Sequence, residues 1–277
     1  MSTQDPIFTA IRNRLLHQLE QDKLVLPSLP EVAIKVQRLA ADPNSSMKEI
    51  SDAITLDPGM SAQMLRLAQT LRYSHPRNPV TTLPDAIVRI GLRGTVNVAL
   101  SLSVNQLFTF QSPLVCQLCR DLQHKSAQIS RYALTLFDEW KARSALDADF
   151  IMLAAVLLEI GTLPLLAELD RLAVTSLNLP EPAIIMEWCE EIRVPMGQAM
   201  LHKWQLNPVF AATLPLQRHD GMSPAELALL LAHRYQHEQA LNGARIAIPL
   251  TIEQALVPLP SGKERETLLE WSKQQTL

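Results

Sequence analysis

Apolar residues recur along this chain at intervals of three and four positions, which is the spacing of one face of an α-helix. The clearest stripes are Val32, Val36 and Leu39; Met60, Met64, Leu67 and Leu71; and Leu114, Leu118, Leu122, Ile129, Leu136 and Trp140. Alternation of apolar and polar positions, the sign of a half-buried strand, is seldom sustained. The best strand candidate, "GARIAIPLTI" near 243–252, is weakened by Pro249. The pattern therefore predicts an all-α protein.

The 19 prolines agree with this prediction, because many of them stand where a helix would begin. A capping residue precedes proline in Asp57-Pro58, Ser112-Pro113, Asn207-Pro208 and Ser223-Pro224. The capping-box pattern occurs at Ser28-x-x-Glu31, Ser46-x-x-Glu49 and Ser223-x-x-Glu226. Gly91 suits the C-terminal cap of a short helix. We therefore expect several short helices, followed by a long one that begins near residue 113.

These patterns divide the chain into four parts. Residues 1–25 are expected to form an N-terminal helix, and residues 26–112 a subdomain of short helices. Residues 113–241 are expected to form a second helical subdomain, with the seam near Gln111-Ser112-Pro113. Residues 242–277 begin with an Asn-Gly turn and are interpreted as a tail that could end in an amphipathic helix.

Composition narrows the function classes. The chain has 277 residues, 47% of them apolar, and a net charge of −3. It can therefore bury a real core, and a polyelectrolyte bound through the whole surface is not expected. The N-terminal residues lack a signal-peptide pattern, and no run reaches the roughly 18 apolar residues of a membrane span. We therefore expect a cytoplasmic protein that does not associate with membranes.

Few residues suggest cofactor chemistry. Cys116 and Cys119 form a C-x-x-C within an apparent helix; we interpret them as core thiols, with redox or metal chemistry as the alternative. The eight glycines form no phosphate loop, dinucleotide fingerprint or nucleophile elbow, so no cofactor is expected. His233 and His237 share one face of a helix and could hold half a metal site, although exposed helix histidines are commoner.

One charged residue interrupts the most apolar stretch, "VLLEIGTLPLL" at 156–166. Between Phe150 and Gly161 every side chain is apolar except that of Glu159. A helix that is hydrophobic on all sides is normally buried, and a buried carboxylate is costly unless it is paired. The sequence therefore predicts a buried helix in which Glu159 is held by a cation.

The order of several motifs resembles the HDOD domain, a bacterial signalling module related to the HD and HD-GYP phosphohydrolases. The matching stretches are "LPSLPEVAIKVQRLAADPNSSMKEISDAITLDPGMSAQMLRLAQT" at 26–70 and "PVTTLPDAIVRIGLRGTVNVALSLSVNQLF" at 79–108. The resemblance implies an N-terminal subdomain of short helices packed on an HD-like helical subdomain. Over about 114–220 the resemblance is looser.

In the second half the resemblance implies that a metal site has been lost. The family's first histidine is similar in position to His124, and its His-Asp pair falls on Leu158-Glu159. Other ligand positions fall on Arg193 and on Arg218-His219. Arginine repels a metal ion, so no metal and no catalysis are expected. We expect a relic pocket in which Glu159 contacts His124, Arg193, Arg218 or His219.

A basic stretch offers a second candidate surface. It carries Arg66, Arg72, His75, Arg77, Arg89 and Arg93. These side chains could bind an anion or a partner protein, or they could simply be solvated. Nucleic acid is not expected, since no recognisable motif and few aromatic residues are present.

Three functions are compatible with these residues. The first is a non-catalytic signalling module that binds an unidentified protein partner. The second is a sensor that binds a nucleotide or another anion in the relic pocket through its arginines. The third, and least favoured, is a metal-dependent phosphohydrolase.

Overall fold

The structure is a computed structural model that describes residues 6–24, 26–70, 80–137, 145–174, 179–216 and 224–241. These residues form twelve α-helices and one short 3-10 turn, with no β-strand among them, so the all-α prediction is confirmed. The helices are α1 (Pro6–Glu20), α2 (Glu31–Ala41), α3 (Met47–Thr55), α4 (Pro58–Ala68), α5 (Leu83–Ile90), α6 (Leu92–Gln106), α7 (Pro113–Phe137), α8 (Ala145–Leu157), α9 (Leu163–Val174), α10 (Pro182–Lys203), α11 (Pro208–Thr213) and α12 (Pro224–Leu241). The strand candidate near 243–252 and the tail at 242–277 lie outside the described residues.

Two hydrophobic cores organise the helices. The first core lies between helices α2, α3, α4 and α5 and the first half of α6, around buried side chains such as those of Ile54, Met64 and Ile87. The second core is formed mainly by the helices from α7 through α12. Helix α6 contributes to both, since Ala99 belongs to the first core and Val104 to the second. The subdomain boundary at residue 112 therefore stays a prediction.

The N-terminal helix packs on the second core rather than on the short helices that follow it. Phe8, Ile11 and Leu15 form its buried face. The ring of Phe8 stacks on that of Trp188 in α10, with centroids 4.6 Å apart and planes inclined by 10°. Stacked aromatic pairs add to the stability that burial alone provides. Helix α1, from the N-terminal end of the sequence, thus covers part of the second core.

The capping signals hold at three of the predicted sites. Ser46 and Glu49 form a reciprocal capping box at the start of α3. Asp57 and Asn207 accept hydrogen bonds from backbone N–H groups of α4 and α11. The capping box predicted at Ser28 is wrong, because α2 begins only at Glu31, with Pro30 in the capping position and no side-chain cap. The Ser223 box lies outside the described residues.

Gly91 ends α5 and begins α6, which meet at 110°. Its φ of +82° lies in the region that residues with a side chain rarely adopt, so the predicted glycine cap is confirmed.

We expect Asp57→Ala to lower the free energy of unfolding by about 1–2 kcal/mol. Asp57 Oδ1 accepts from the Met60 N–H at 2.9 Å, and Oδ2 accepts from Gln106 Nε2 of α6 at 3.3 Å. The backbone bond lowers the pKa of Asp57, so this stabilisation is present above the usual carboxyl pKa and is lost as the pH falls below it. Urea denaturation at pH 7 measures the loss.

The control is Asp52→Ala, which removes only an exposed ion pair with Lys48 and should change stability by less than about 0.5 kcal/mol. Equal losses in the two variants would contradict the role given to the Asp57 cap.

One stretch, Ala148–Ala173, is apolar and long enough to span a membrane by length and composition alone. In the structure 78% of its most apolar window is buried inside the fold. The same test is passed by the core helices of proteins that do not enter membranes, so the stretch is weak evidence for a span.

Candidate functional site

The apolar helix that contains Phe150 ends before Glu159. Helix α8 stops at Leu157, and a 3-10 turn covers Ile160–Thr162 before α9 begins. The backbone carbonyl of Glu159 accepts from the Thr162 hydroxyl at 2.7 Å and from the Thr162 N–H at 3.1 Å. The expectation that Glu159 lies within a helix is therefore wrong, since it lies in the turn that breaks the helix. Its burial is confirmed, with 2% of the residue exposed.

This turn lies directly against the backbone of α10. A Cβ atom built on Gly161 would come within 1.9 Å of the Arg193 carbonyl oxygen and 2.5 Å of the Gly197 nitrogen. Only glycine fits such an approach, because any side chain would meet backbone that has no room to move. The contact fixes the position of Glu159 relative to α10.

Lys125 is the cation that holds Glu159. It lies on α7 with only 12% of its side chain exposed. Its Nζ is 3.0 Å from Glu159 Oε1 and 2.5 Å from Glu190 Oε1. Neither oxygen of Glu159 has a hydrogen bond of good geometry within the described residues, so the ion pair is its main compensation there. A single ammonium group thus bridges two carboxylates from different parts of the fold.

Arg193 extends this arrangement. It is 6% exposed, and its Nε lies 3.2 Å from Glu190 Oε2. Its Nη1 donates to the carbonyl oxygens of Leu158 at 3.3 Å and Leu214 at 2.8 Å. We call the series Glu159–Lys125–Glu190–Arg193 the charge chain. It ties α7, the turn after α8, and α10 to one another.

Two members of the charge chain, Lys125 and Glu190, have shifted pKa values. Burial alone would lower the pKa of Lys125, but the carboxylates of Glu159 and Glu190 outweigh burial and raise it. Burial alone would raise the pKa of Glu190, but Lys125 and Arg193, with a smaller effect from His233, lower it to about 2. Both groups are therefore charged at neutral pH, and the ammonium stays where the carboxylates hold it.

We expect Glu190→Gln to weaken the acid sensitivity of the fold. The pKa of Glu190 rises from about 2 in the folded chain to an ordinary value of 4.5 on unfolding. Its stabilising effect is therefore complete above pH 4.5 and is lost as the pH falls towards 2. Its side chain is 44% exposed, so solvent screens part of the effect. Urea midpoints at pH 5 and pH 3 should differ less in Glu190→Gln than in the wild type.

The control is Glu20→Gln at the exposed end of α1, which should leave the pH 5 to pH 3 difference unchanged. If the difference between the urea midpoints at pH 5 and pH 3 is the same in both variants, the charge chain does not lower the pKa of Glu190.

The other residues predicted for the relic pocket are only partly assembled. His124 is exposed on α7, next to Lys125, and forms no ion pair with Glu159. Arg193 contacts the carbonyl of Leu158 and the carboxylate of Glu190 rather than that of Glu159. Among the described residues the ion-pair partner of Glu159 is Lys125, and neither His124 nor Arg193 pairs with it. The predicted contact with one of four residues stays a prediction for the other two. Arg218 and His219 lie outside the described residues.

The basic surface is described only in part. Arg66 on α4 and Arg93 on α6 are exposed, and Arg89 on α5 is half-buried. Arg72, His75 and Arg77 lie outside the described residues. Binding of an anion or a partner at this surface stays a prediction.

The described cysteines lie in or beside the second core. Burial raises the pKa of the Cys119 thiol to about 12 and also raises that of Cys189, which lies near Glu159 and Glu190. Cys116 Sγ donates to the carbonyl oxygen of Phe110 at 3.0 Å. The burial of Cys119 and the hydrogen bond of Cys116 fit the interpretation of this pair as core thiols. His233 is half-buried near Glu190, and the side chain of His237 is not described.

The described donors do not fit a catalytic metal. No group of three or more His, Cys, Asp or Glu side chains suited to a metal ion occurs within the described residues. Leu158 is a fully buried apolar residue, and the carboxylates of Glu159 and Glu190 are already bridged by an ammonium group. A metal ion placed between these carboxylates would have to displace the ammonium group of Lys125, which is also positively charged.

Known proteins resemble the chain in both sequence and fold. The family model for the HDOD domain matches residues 26–219. A putative metal-dependent phosphohydrolase from Shewanella amazonensis SB2B is 25% identical with a TM-score of 0.76, over 98% of this chain and 90% of that chain. An HDOD domain protein with unknown function from Geobacter sulfurreducens is 15% identical with a TM-score of 0.54, over 96% and 95%. A putative signal transduction protein from Marinobacter aquaeolei VT8 is 17% identical with a TM-score of 0.52, over 100% and 68%. No curated protein matches the chain.

Proposed function

The chain belongs to the HDOD domain family, and from that premise we propose that it is a non-catalytic regulatory module of bacterial signal transduction that binds a partner protein. One observation carries the proposal. The ammonium group of Lys125 lies between the carboxylates of Glu159 and Glu190, at 3.0 and 2.5 Å. It is an internal cation paired with Glu159, the residue on which the family resemblance places the acidic member of a metal-binding pair.

The chemistry of hydrolysis explains why this observation matters. A metal-dependent hydrolase holds its ion with several histidine and carboxylate ligands and leaves one position open for an activated water. Lys125 supplies no lone pair at neutral pH, because the neighbouring carboxylates raise its pKa. Leu158 supplies none at any pH. The charge chain therefore favours a structural role for Glu159 over a catalytic one.

The comparisons support a regulatory role without excluding hydrolysis. One structural neighbour is named for signal transduction and another for metal-dependent phosphohydrolysis. The fold is thus compatible with both, and the proposal rests on the side chains at the site.

Metal analysis and a hydrolysis assay test the proposal together. Protein purified without chelators should contain far less than one iron or manganese ion per chain. With added Mn²⁺ it should not hydrolyse the phosphodiester bis-p-nitrophenyl phosphate. Stoichiometric metal together with hydrolysis that is abolished in Glu159→Gln would overturn the non-catalytic assignment. Glu20→Gln is the matched control for loss of a carboxylate elsewhere.

The partner is tested by cross-linking the chain in its native host and identifying the adducts by mass spectrometry. We expect one protein to be recovered reproducibly at a ratio close to one per chain. Recovery of no protein above the background of an unrelated helical control would contradict the partner-binding role.

An anion sensor in the relic pocket has less support. Arg193 already donates to two carbonyl oxygens and pairs with Glu190, so few of its donors remain for a phosphate. Isothermal titration with a panel of nucleotides should give no binding heat. Heat that disappears in Arg193→Gln, with the fold intact, would favour the sensor.

A further inference from the structure

A groove with two adjoining cavities runs along α2. The cavities have volumes of about 540 and 360 Å³ and share Gln37 and Ala41 in their walls. Helix α2 forms one side, and the end of α10 with α11 forms the other. One hydrogen bond joins the segment before α2 to the end of α10, since Trp204 Nε1 donates to the Pro27 carbonyl at 3.0 Å.

The groove exposes apolar side chains. Ile34 of α2, Leu92 of α6 and Val209 of α11 are 39%, 38% and 43% exposed. All three line the cavities, and they make up half of the six large apolar residues that the structure describes as exposed. Clustered exposure of this kind is typical of interaction surfaces, whereas single exposed apolar residues need no explanation.

The charge at the groove has one sign. Arg38 and Lys203 line the first cavity and Arg93 lines the second, while no acidic residue lines either one. Within the described residues, no carboxylate forms an ion pair with any of these three cations. The chain as a whole carries a net charge of −3, so the groove is a local exception.

We propose that this groove binds an acidic amphipathic helix of the partner protein. The inference rests on the proposed function and assigns it a surface. On α2, Ile34, Gln37, Arg38 and Ala41 recur at intervals of three and four, so one helical face borders the groove along its length. A helix laid beside α2 would place its apolar residues on Ile34 and its acidic flanks beside Arg38 and Lys203.

A nucleic acid fits the groove less well. Three cations give a weak polyelectrolyte site, and the walls contain several apolar side chains that phosphates and sugars would leave uncovered. An oligonucleotide is therefore included as a competing ligand in the test.

The first experiment uses a fluorescent model peptide of about 14 residues, roughly 21 Å of helix, with leucine at helical spacing and glutamate on the flanks. Fluorescence anisotropy should show saturable binding at low salt that weakens as salt is added. The same peptide with lysine in place of glutamate should bind at least about tenfold more weakly. Equal binding of the two peptides, or tighter binding of a single-stranded oligonucleotide, would overturn the proposal.

Variants of the groove residues test whether the acidic peptide binds in the groove. Ile34→Glu and the double variant Arg38→Glu/Lys203→Glu should each weaken the acidic peptide by about tenfold or more. The lysine peptide should gain affinity for the double variant, which a misfolded protein would not show. Leu56→Glu and Lys48→Glu change an exposed apolar residue and a cation away from the groove, so they should bind as the wild type does. Unchanged affinity in Ile34→Glu would overturn the assignment.

Cross-linking in the native host with Ile34→Glu separates this inference from the proposed function. Loss of the adduct in this variant, but not in Leu56→Glu, supports the groove. An adduct that persists in Ile34→Glu overturns the groove and leaves partner binding intact. Absence of an adduct in the wild type contradicts partner binding itself.

Discussion

Lys125→Met should lower the free energy of unfolding by about 3–5 kcal/mol, because it leaves a buried carboxylate without its cation. Glu159 is 2% exposed, and neither of its oxygens has another hydrogen-bond partner of good geometry within the described residues. Methionine keeps most of the apolar stem of lysine, so the loss reports the charge rather than the packing. Urea denaturation at pH 7 measures the change.

Two further variants separate the buried ion pair from a general effect of removing lysine. Lys125→Met/Glu159→Gln removes both charges and should recover a large part of the stability lost in the single variant. Lys48→Met breaks an exposed ion pair with Asp52 and should cost less than about 1 kcal/mol. If Lys125→Met costs no more than Lys48→Met, the ion pair does not hold Glu159 in place.

The sequence predicts where a helix begins when the capping residue is next to the helix in the chain. Asp57 and Asn207 cap the helices that follow them because their side-chain oxygens accept backbone N–H groups of the first turn. Proline at the next position fits there because its missing N–H needs no partner. The Ser28 box failed because two prolines surround it, and Pro30 rather than serine occupies the capping position. Ser112-Pro113 likewise predicts the start of α7, which begins at Pro113. The carboxylate of Asp170 in α9, which accepts from the Ser112 N–H at 2.7 Å, comes from a distant part of the sequence, and no local pattern reveals that contact.

The candidate site was predictable in its burial but not in its pairing. The apolar neighbours of Glu159 require a buried carboxylate with a cation, and both are present. The predicted partners of Glu159 were histidines and arginines and did not include Lys125, although the sequence pattern indicates that Lys125 is buried. Leu118, Leu122, Lys125 and Ile129 follow one another at intervals of four, three and four, so Lys125 lies on the buried stripe of α7. Glu190 gives no comparable signal, because its position depends on how α10 packs.

The last prediction concerns the contact that positions this site. Gly161→Ala should lower the free energy of unfolding by at least about 3 kcal/mol, because its Cβ would come within 1.9 Å of the Arg193 carbonyl oxygen. Gly197→Ala should cost about 1 kcal/mol, since its Cβ meets the flexible end of Leu214 at 2.8 Å and alanine favours the helix. Urea denaturation ranks the two variants. Equal losses would show that the turn is not in backbone contact with α10, and the charge chain would then lack its support.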